Sequence, residues 1–290
     1  MSRATSSLSS VTIGIATKNR WEDLKTTLSK IAALELGDLK ILIFDDASDQ
    51  TCPYDVASIC RGAELKRFSE SKGYIVRRNQ LAREMHSKYY LSLDDDSFPV
   101  SGSLEAAVEF AEGCRDLLGL SFPIYNPLIP RHEVRSLQDA PYRVQTFVGC
   151  GHLLYRERFL ELGGYCEELI HQGEELELAA RAFQKGFYCY HFPGFKIHHM
   201  ISNTGRNWFR MDFYGARNNV LLNDWFMPRG LRIIKQSRTF SSRFLLFVKT
   251  GRIAHLQGQI AGIVDSHKYR SKRNLMSSKL YEQWKRLPST

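Results

Sequence analysis

At 290 residues, 43% hydrophobic and 12% aromatic, the chain has ample apolar material for a packed core, which excludes disorder over most of its length and fits one large domain or one domain with an appendage. The six scattered cysteines form no C-x-x-C pair and no zinc-finger spacing, so a disulfide framework and a structural zinc site are set aside in favour of reduced core thiols. The formal charge of +9 is unevenly placed: from Arg229 onward fourteen Lys/Arg stand against two acids, Asp265 and Glu282, a net of +12 that leaves −3 for the first 228 residues.

The start, "MSRATSSLSS", is polar and lacks an apolar leader core, so residues 1–10 are expected to be a flexible N-terminus of a soluble cytoplasmic protein. No uninterrupted apolar stretch approaches the length of about 18 that a spanning helix needs. Four short runs rich in branched or aromatic residues follow, "VTIGIA" (11–16), "LKILIF" (39–44), "AELKRF" (63–68) and "YYLSLD" (89–94), most of them separated by helical patterns of ten or more residues. This is a βαβ series, which predicts an α/β fold on a mainly parallel sheet. Ligands of such sheets collect beyond the carboxyl ends of the strands, and those ends carry "TKNR" (17–20), "DDAS" (45–48) and "DDD" (94–96). No G-x-G-x-x-G follows the first strand, which removes a nicotinamide dinucleotide from consideration.

Three adjacent carboxylates repel one another unless a cation lies among them, and hard oxygen ligands select Mg2+ or Mn2+ with positions left for substrate phosphates. The plainer alternative is a strand-to-turn cap in which Asp95 or Asp96 accepts backbone N–H groups. Further on, Glu174, Glu175 and Glu177 open a helical pattern that ends at Gly186, where acids would also complement a helix N-terminus. Beyond Arg229, "LRIIKQ", "RFLLFVK" and "QIAGIV" predict two or three amphipathic helices with a basic exposed face. That face is either solvated and packed on the main domain or apposed to an anionic membrane; nucleic acid is the weakest of the three readings.

Taken in order, "VTIGIATKNR", "ILIFDDAS", "RRNQLA", "LSLDDD", "FLELGGYCEEL" (159–169), "GEELELAARAFQKGF" (173–187), "KIHHMIS" (196–202) and "RNN" (217–219) resemble glycosyltransferase family 2, nucleotide-sugar-dependent enzymes of GT-A fold, over about residues 11–225. The resemblance implies a Rossmann-like, mainly parallel central sheet flanked by helices, with a C-terminal helical extension. It divides the chain into a catalytic domain at 11–228, with a nucleotide-binding half at 11–100 and an acceptor half at 101–228, and a basic helical extension at 229–290.

The resemblance also implies roles. Thr17, Asn19, Arg20, Asp45, Asp46, Arg78, Asp94 and Asp95 would line the donor site, with Asp46 reaching the base, Arg78 near the base or diphosphate and Asp95 on the ribose. Asp96 would ligate Mn2+ or Mg2+, and His198, or His199 beside it, would complete the metal or diphosphate site. Glu175 would be the general base, with Glu174 as fallback. Here the sequence departs from the family's Gly-Glu-Asp-x-Asp-Leu by placing Glu175 at the first Asp position and Glu177 at the later one. The implied partners are a nucleoside-diphosphate sugar of UDP type and a glycan or lipid-linked acceptor hydroxyl, with peripheral association at an anionic inner membrane face; the implied reaction inverts the anomeric centre. "VGCGHLLYR" (148–156) and "LGGYCEEL" (162–169) resemble the acceptor-facing segment. Two other classes stand beside this one. A metal-dependent nucleotidyltransferase would carry a Gly-rich phosphate loop that "IATKNRWEDL" lacks, and a catalytically degenerate membrane- or nucleic-acid-binding module is kept open by the Glu at 175.

Overall fold

The computed structural model describes residues 8–34, 36, 39–200 and 207–289; residues 1–7 of the expected flexible N-terminus and residues 201 and 202 of the histidine stretch lie outside them. The first half runs β1 (Val11–Thr17), α1 (Trp21–Ala32), β2 (Lys40–Asp45), α2 (Val56–Ile59), β3 (Ala63–Arg67), α3 (Tyr74–Glu84) and β4 (Tyr89–Asp94). The four strands pair in parallel in the order β3-β2-β1-β4. Their register brings the polar ends level: Thr17 lies opposite Asp45, Asp45 opposite Arg67, and Ala16 opposite Asp94. In α1, Leu24, Thr27, Leu28 and Ile31 are buried at helical spacing, while Glu22 and Asp23 in the first turn and Lys30 in the last complement the helix dipole.

The second half continues with β5 (Ser97–Gly102), α4 (Leu104–Gly113), β6 (Leu117–Ser121), β7 (Ile124–Tyr125), β8 (Tyr142–Val144), β9 (Gly151–Tyr155), α5 (Arg156–Glu161), α6 (Glu174–Gln184), β10 (Tyr188–His191) and β11 (Phe195–His199). β9 enters antiparallel between β4 and β6, β10 runs parallel to β6, and β8 closes the edge antiparallel to β10. The expected parallel sheet therefore describes the first half, whereas the eight-stranded whole is mixed. A second sheet, β5-β11-β7, springs from the turn after Asp96 and sets His199 opposite Ser97 and His198 opposite Phe98.

The chain then forms α7 (Trp208–Phe226), α8 (Arg229–Thr250), α9 (Ala254–Lys268) and α10 (Ser278–Arg286). The expected helical extension is present, but packing runs across residue 228. α9 lies so close on α7 that a Cβ at Gly258 would stand 2.2 Å from the Phe213 carbonyl oxygen. Met276, Tyr281 and Trp284 enter the same core cluster as Phe44, Tyr90 and the buried face of α6. The Asn274 and Met276 N–H groups donate to the Trp225 and Phe226 carbonyls, and Gln145 N–H donates to Pro288 O at 2.8 Å. In α8 the expected exposed cations Lys235, Arg238 and Lys249 are accompanied by exposed apolar residues: Ile233, Phe244 and Val248 are all more than half exposed.

Candidate active site

The first loops after the strands are fastened to one another. Asn19, with a left-handed φ of 58°, donates its backbone N–H to Ser48 Oγ at 2.8 Å and pairs its side-chain amide with Asp49. Asp45 is fully buried and accepts from the backbone N–H and hydroxyl of Ser48, with Arg67 Nε 3.4 Å away. Asp46, expected to reach a base, is held by donors of the protein itself. Its two oxygens accept from Ser71 Oγ, the N–H groups of Lys72 and Gly73, and Arg77 Nε at 2.7–2.8 Å. Burial acts to raise its pKa, but these donors together hold the carboxyl below its usual range. Asn19, Asp45 and Asp46 thus shape the loops at the strand ends, and their side chains are committed within the protein.

The three aspartates close β4 and are gripped from several sides. Thr17 Oγ1 donates to Asp95 Oδ2 at 2.8 Å, and Thr27 Oγ1 on α1 donates to the Asp95 carbonyl at 2.8 Å. Ser97 Oγ accepts from Asp94 N–H and donates to the Cys150 carbonyl, which ties the turn to the segment before β9. Arg20, just ahead of α1, bridges two of the carboxylates, with Nη1 2.9 Å from Asp95 Oδ1 and Nη2 2.7 Å from Asp96 Oδ2. Burial, reinforced by Asp96 and Asp94, pushes Asp95 up to about 8 even against Arg20. Burial also works to raise Asp96, but His199 and Arg20 outweigh it and hold Asp96 low.

His199, not His198, joins this group: its Nε2 lies 3.3 Å from Asp96 Oδ1. In β11 successive side chains alternate, so His199 shares the face of the buried Phe195 and Ile197. His198 falls on the other face, with its ring against Phe98 and Tyr125 at centroid distances of 5.0 and 5.3 Å. That alternation was available in "FKIHH" as the signal for choosing between the two.

Do these residues fit a divalent ion? Ligand atoms of Asp94, Asp96 and His199 all lie within 4.8 Å of one another. Asp96 Oδ1 is buried and, apart from the ion-pair contact with His199 Nε2, has no hydrogen-bond partner among the described residues. Two carboxylates and an imidazole brought this close suit Mn2+ or Mg2+.

Arg78 joins the aspartates to the acids of α6. It is 3% exposed, its Nη2 lies 2.5 Å from Asp94 Oδ1 and 3.0 Å from the Gly149 carbonyl, and its Nη1 lies 3.4 Å from Glu174 Oε1 and 3.8 Å from Glu175 Oε1. Arg78, expected near a base or diphosphate, lies between two carboxylate groups. Glu174 is enclosed, whereas the Glu175 side chain keeps 17% of its surface open. Burial first, then the neighbouring Glu174, drives the Glu175 pKa well above its usual value. A Cβ at Gly149 would lie 2.2 Å from Glu175 Oε1, so the glycine makes the space that this carboxylate occupies. Glu177, the later acid of the stretch, is buried in a two-pronged pair with Arg181, which also donates to the carbonyls of Leu162 and Gly164.

The loop leading to Glu174 contains residues with no assigned role in the sequence reading. Ile170 and Gln172 have left-handed φ values of 64° and 68°, and Asn218 Nδ2 donates to the carbonyls of Leu169, His171 and Gln172 at 2.8–2.9 Å. The Gln172 N–H donates to Tyr74 Oη, and the Tyr74 ring meets His171 edge-on. Asn79 clasps both backbone polar groups of Tyr165, while Tyr165 Oη lies 2.7 Å from His152 Nε2. "RRNQLA" and "RNN" marked Asn79 and Asn218 as motif positions, but a sequence motif does not show which carbonyls an amide will reach.

A family model described as Glycosyl transferase family 2 matches residues 12–157. The fold is similar to that of GalNAc-T7 solved with UDP, GalNAc and Mn2+ (TM-score 0.55, 16% identity), over 74% of this chain and 50% of that one, so the chain spans about half the length of that relative. It is similar to the mannosyltransferase PcManGT from Pyrobaculum calidifontis in complex with GDP-Man and Mn2+ (TM-score 0.55, 15% identity, 94% of this chain and 77% of that one). It is also similar to S. aureus TarS in complex with UDP-GlcNAc (TM-score 0.56, 12% identity, 73% and 66%). At these identities the likeness is one of fold. No curated protein matches the chain.

Proposed function

Since the chain belongs to glycosyl transferase family 2, we propose that it moves a sugar from a nucleoside-diphosphate sugar to an acceptor hydroxyl at the Asp94–Asp96 strand end, with inversion at the anomeric carbon. The observation that carries this reading is the placement of one open carboxylate, Glu175, across Arg78 from the aspartate cluster. The titles of the similar structures name UDP, GDP-Man and UDP-GlcNAc, which supports a nucleotide-sugar donor.

A divalent ion held by Asp94, Asp96 and His199 would supply positive charge for the departing diphosphate. The chain's own residues do the rest. Thr17 and Arg20 orient Asp95 at the donor end, while Arg78 fixes the separation between that end and α6. Glu175, its proton affinity raised by burial and by Glu174, takes the acceptor's hydroxyl proton. As that proton leaves, the acceptor oxygen forms its bond to the anomeric carbon, and the bond from that carbon to the phosphate oxygen breaks with its electron pair on the diphosphate. One in-line displacement inverts the centre and needs no covalent nucleophile.

The acceptor is proposed to be a glycan or lipid-linked hydroxyl, met by an enzyme lying peripherally on an anionic membrane. Six free cysteines suit a reducing, cytoplasmic setting, and no helix among the described residues is long and apolar enough to cross a membrane. Thermal unfolding against a panel of nucleotide sugars, with and without Mn2+, tests the reading. A metal-dependent rise in Tm with one nucleotide series, followed by slow hydrolysis of that donor, is expected. No shift with any donor in a folded protein would overturn it.

A further inference from the structure

None of the 22 residues of α8, all of them described, is buried. Ile233, Phe240, Phe244 and Val248 are 64%, 43%, 52% and 64% exposed, at spacings of seven, four and four, so they form one line along the helix. Ile234 and Leu245, at 55% and 53%, widen that line, and the small Ser237 and Ser241 fill it. The line from Ile233 to Val248 is about 22 Å long. Phe209 and Ile253 extend the exposed apolar surface past the C-terminal end of the helix.

The charges of α8 narrow the choice of what covers this face. The helix has six Lys/Arg and no acid. Arg232 is turned inward to Asp224 at 2.6 Å, but Arg238 stands one turn from Ile234 and Lys249 one turn from Leu245, with Lys235 on the same flank of the helix, all three exposed. A second copy laid face to face would bring two such rows of cations together at the cost of repulsion. A surface that is apolar beneath and anionic at its edge satisfies both features at once.

We propose that the apolar line of α8 inserts into the surface of an anionic lipid bilayer, with Lys235, Arg238 and Lys249 at the level of the headgroup phosphates. This rests on the peripheral association proposed above and names the surface that makes it. Attachment then depends chiefly on inserted side chains, so it survives salt that would release a purely electrostatic contact.

The test is flotation of the full chain with phosphatidylcholine vesicles containing or lacking about one third phosphatidylglycerol. Binding is expected with phosphatidylglycerol and largely retained as salt is raised. The Phe240→Ser/Phe244→Ser variant should lose at least about 10-fold in bound fraction, and Lys235→Gln/Arg238→Gln should lose about fivefold per residue. Because no residue of α8 is fully buried, and Phe240 and Phe244 are 43% and 52% exposed, Tm and donor-induced stabilisation should stay close to wild-type values in both variants, which also verifies folding. Wild-type binding by the Phe240→Ser/Phe244→Ser variant would overturn the assignment to α8 and leave peripheral association standing. Absence of binding by the wild-type chain would overturn both. A wild-type dimer in sedimentation that the same substitutions dissociate, without change in vesicle binding, would assign the face to a second copy and overturn the proposal. In each case donor binding reports separately on glycosyl transfer.

Discussion

Arg78 Nη2 stands 2.5 Å from Asp94 Oδ1, and the other arm of the same guanidinium reaches Glu174 on α6. A single buried cation therefore fixes how far the end of β4 lies from the acids that open α6. Arg78→Ala leaves Asp94 and Glu174 without their partner and is expected to destabilise the protein by about 3–5 kcal/mol. Arg78→Lys keeps the charge but cannot span both carboxylates, so its loss should be smaller. Urea unfolding measures both, and wild-type stability in Arg78→Ala would show that the bridge is not structural.

Gly149→Ala places a methyl where Glu175 Oε1 now lies. The carboxylate ends a flexible side chain, so it will move and the backbone will not. The expected result is a fall in turnover of about 10²-fold, with donor affinity and Tm nearly unchanged. Glu175→Gln should reproduce the kinetic loss, and combining the two should add little. Wild-type turnover in Gly149→Ala would remove Glu175 from its proposed role.

His198 and His199 can be separated by metal binding. His199→Gln is expected to weaken Mn2+ binding, read by calorimetry or electron paramagnetic resonance, by at least about 10-fold, the scale seen even for groups outside a coordination sphere. His198→Gln should leave the affinity unchanged and lose only ring contacts with Phe98 and Tyr125, about 0.5–1.5 kcal/mol of stability. The reverse pattern would move the metal site to the other face of β11.

Acid should loosen the fold before it protonates the bulk of the carboxylates. His152 is fully buried; burial, then the nearby Arg78, holds its pKa well below the ordinary 6.5, with Val148 O accepting from Nδ1 and Tyr165 Oη donating to Nε2. Burial likewise brings His171 and His191 down to about 4. These groups are neutral when folded and take protons when unfolded, so their stabilisation is complete above about pH 6.5 and is lost as pH falls. A fully buried one contributes a slope of up to about 1.4 kcal/mol per pH unit. His199 has the opposite sign: burial opposes its charge, but Asp96 raises it to about 11, so its contribution is complete below about pH 6.5 and fades as pH rises. Urea midpoints should therefore peak near neutrality and fall towards pH 4, with His152→Gln flattening the acid limb. An acid limb as steep in His152→Gln as in wild type would refute the assignment.

The sheet's first half was readable because buried parallel strands are continuous apolar runs and their polar ends mark the ligand side; Thr17, Asp45 and Asp94 lie at strand ends as expected. The antiparallel insertion of β9 was not, since Gly151–Tyr155 is as apolar as a parallel strand and nothing local states its direction. The donors that hold Asp46 were not legible, since two of them are the backbone amides of Lys72 and Gly73, which carry no residue-type signal. Arg20 was placed at the donor site by its motif, but its bridge to Asp95 and Asp96 depends on how α1 leaves β1. In α8 the helical period was legible and its orientation was not: amphipathicity locates an apolar side without stating whether protein covers it.

Helix α10 is also a matter of timing. Met276, Tyr281 and Trp284 complete a core whose other members begin at Leu42 and Phe44, so the two sides of that core are made more than two hundred residues apart. On the ribosome, β1 to β4 can pair as they emerge, but Tyr90, Phe159 and Phe183 wait for an aromatic lid that leaves the exit tunnel only after all of them. Until then the nascent chain carries an apolar surface that only residues 276–284 fit, and a product that stops short of them is the species most in need of a chaperone.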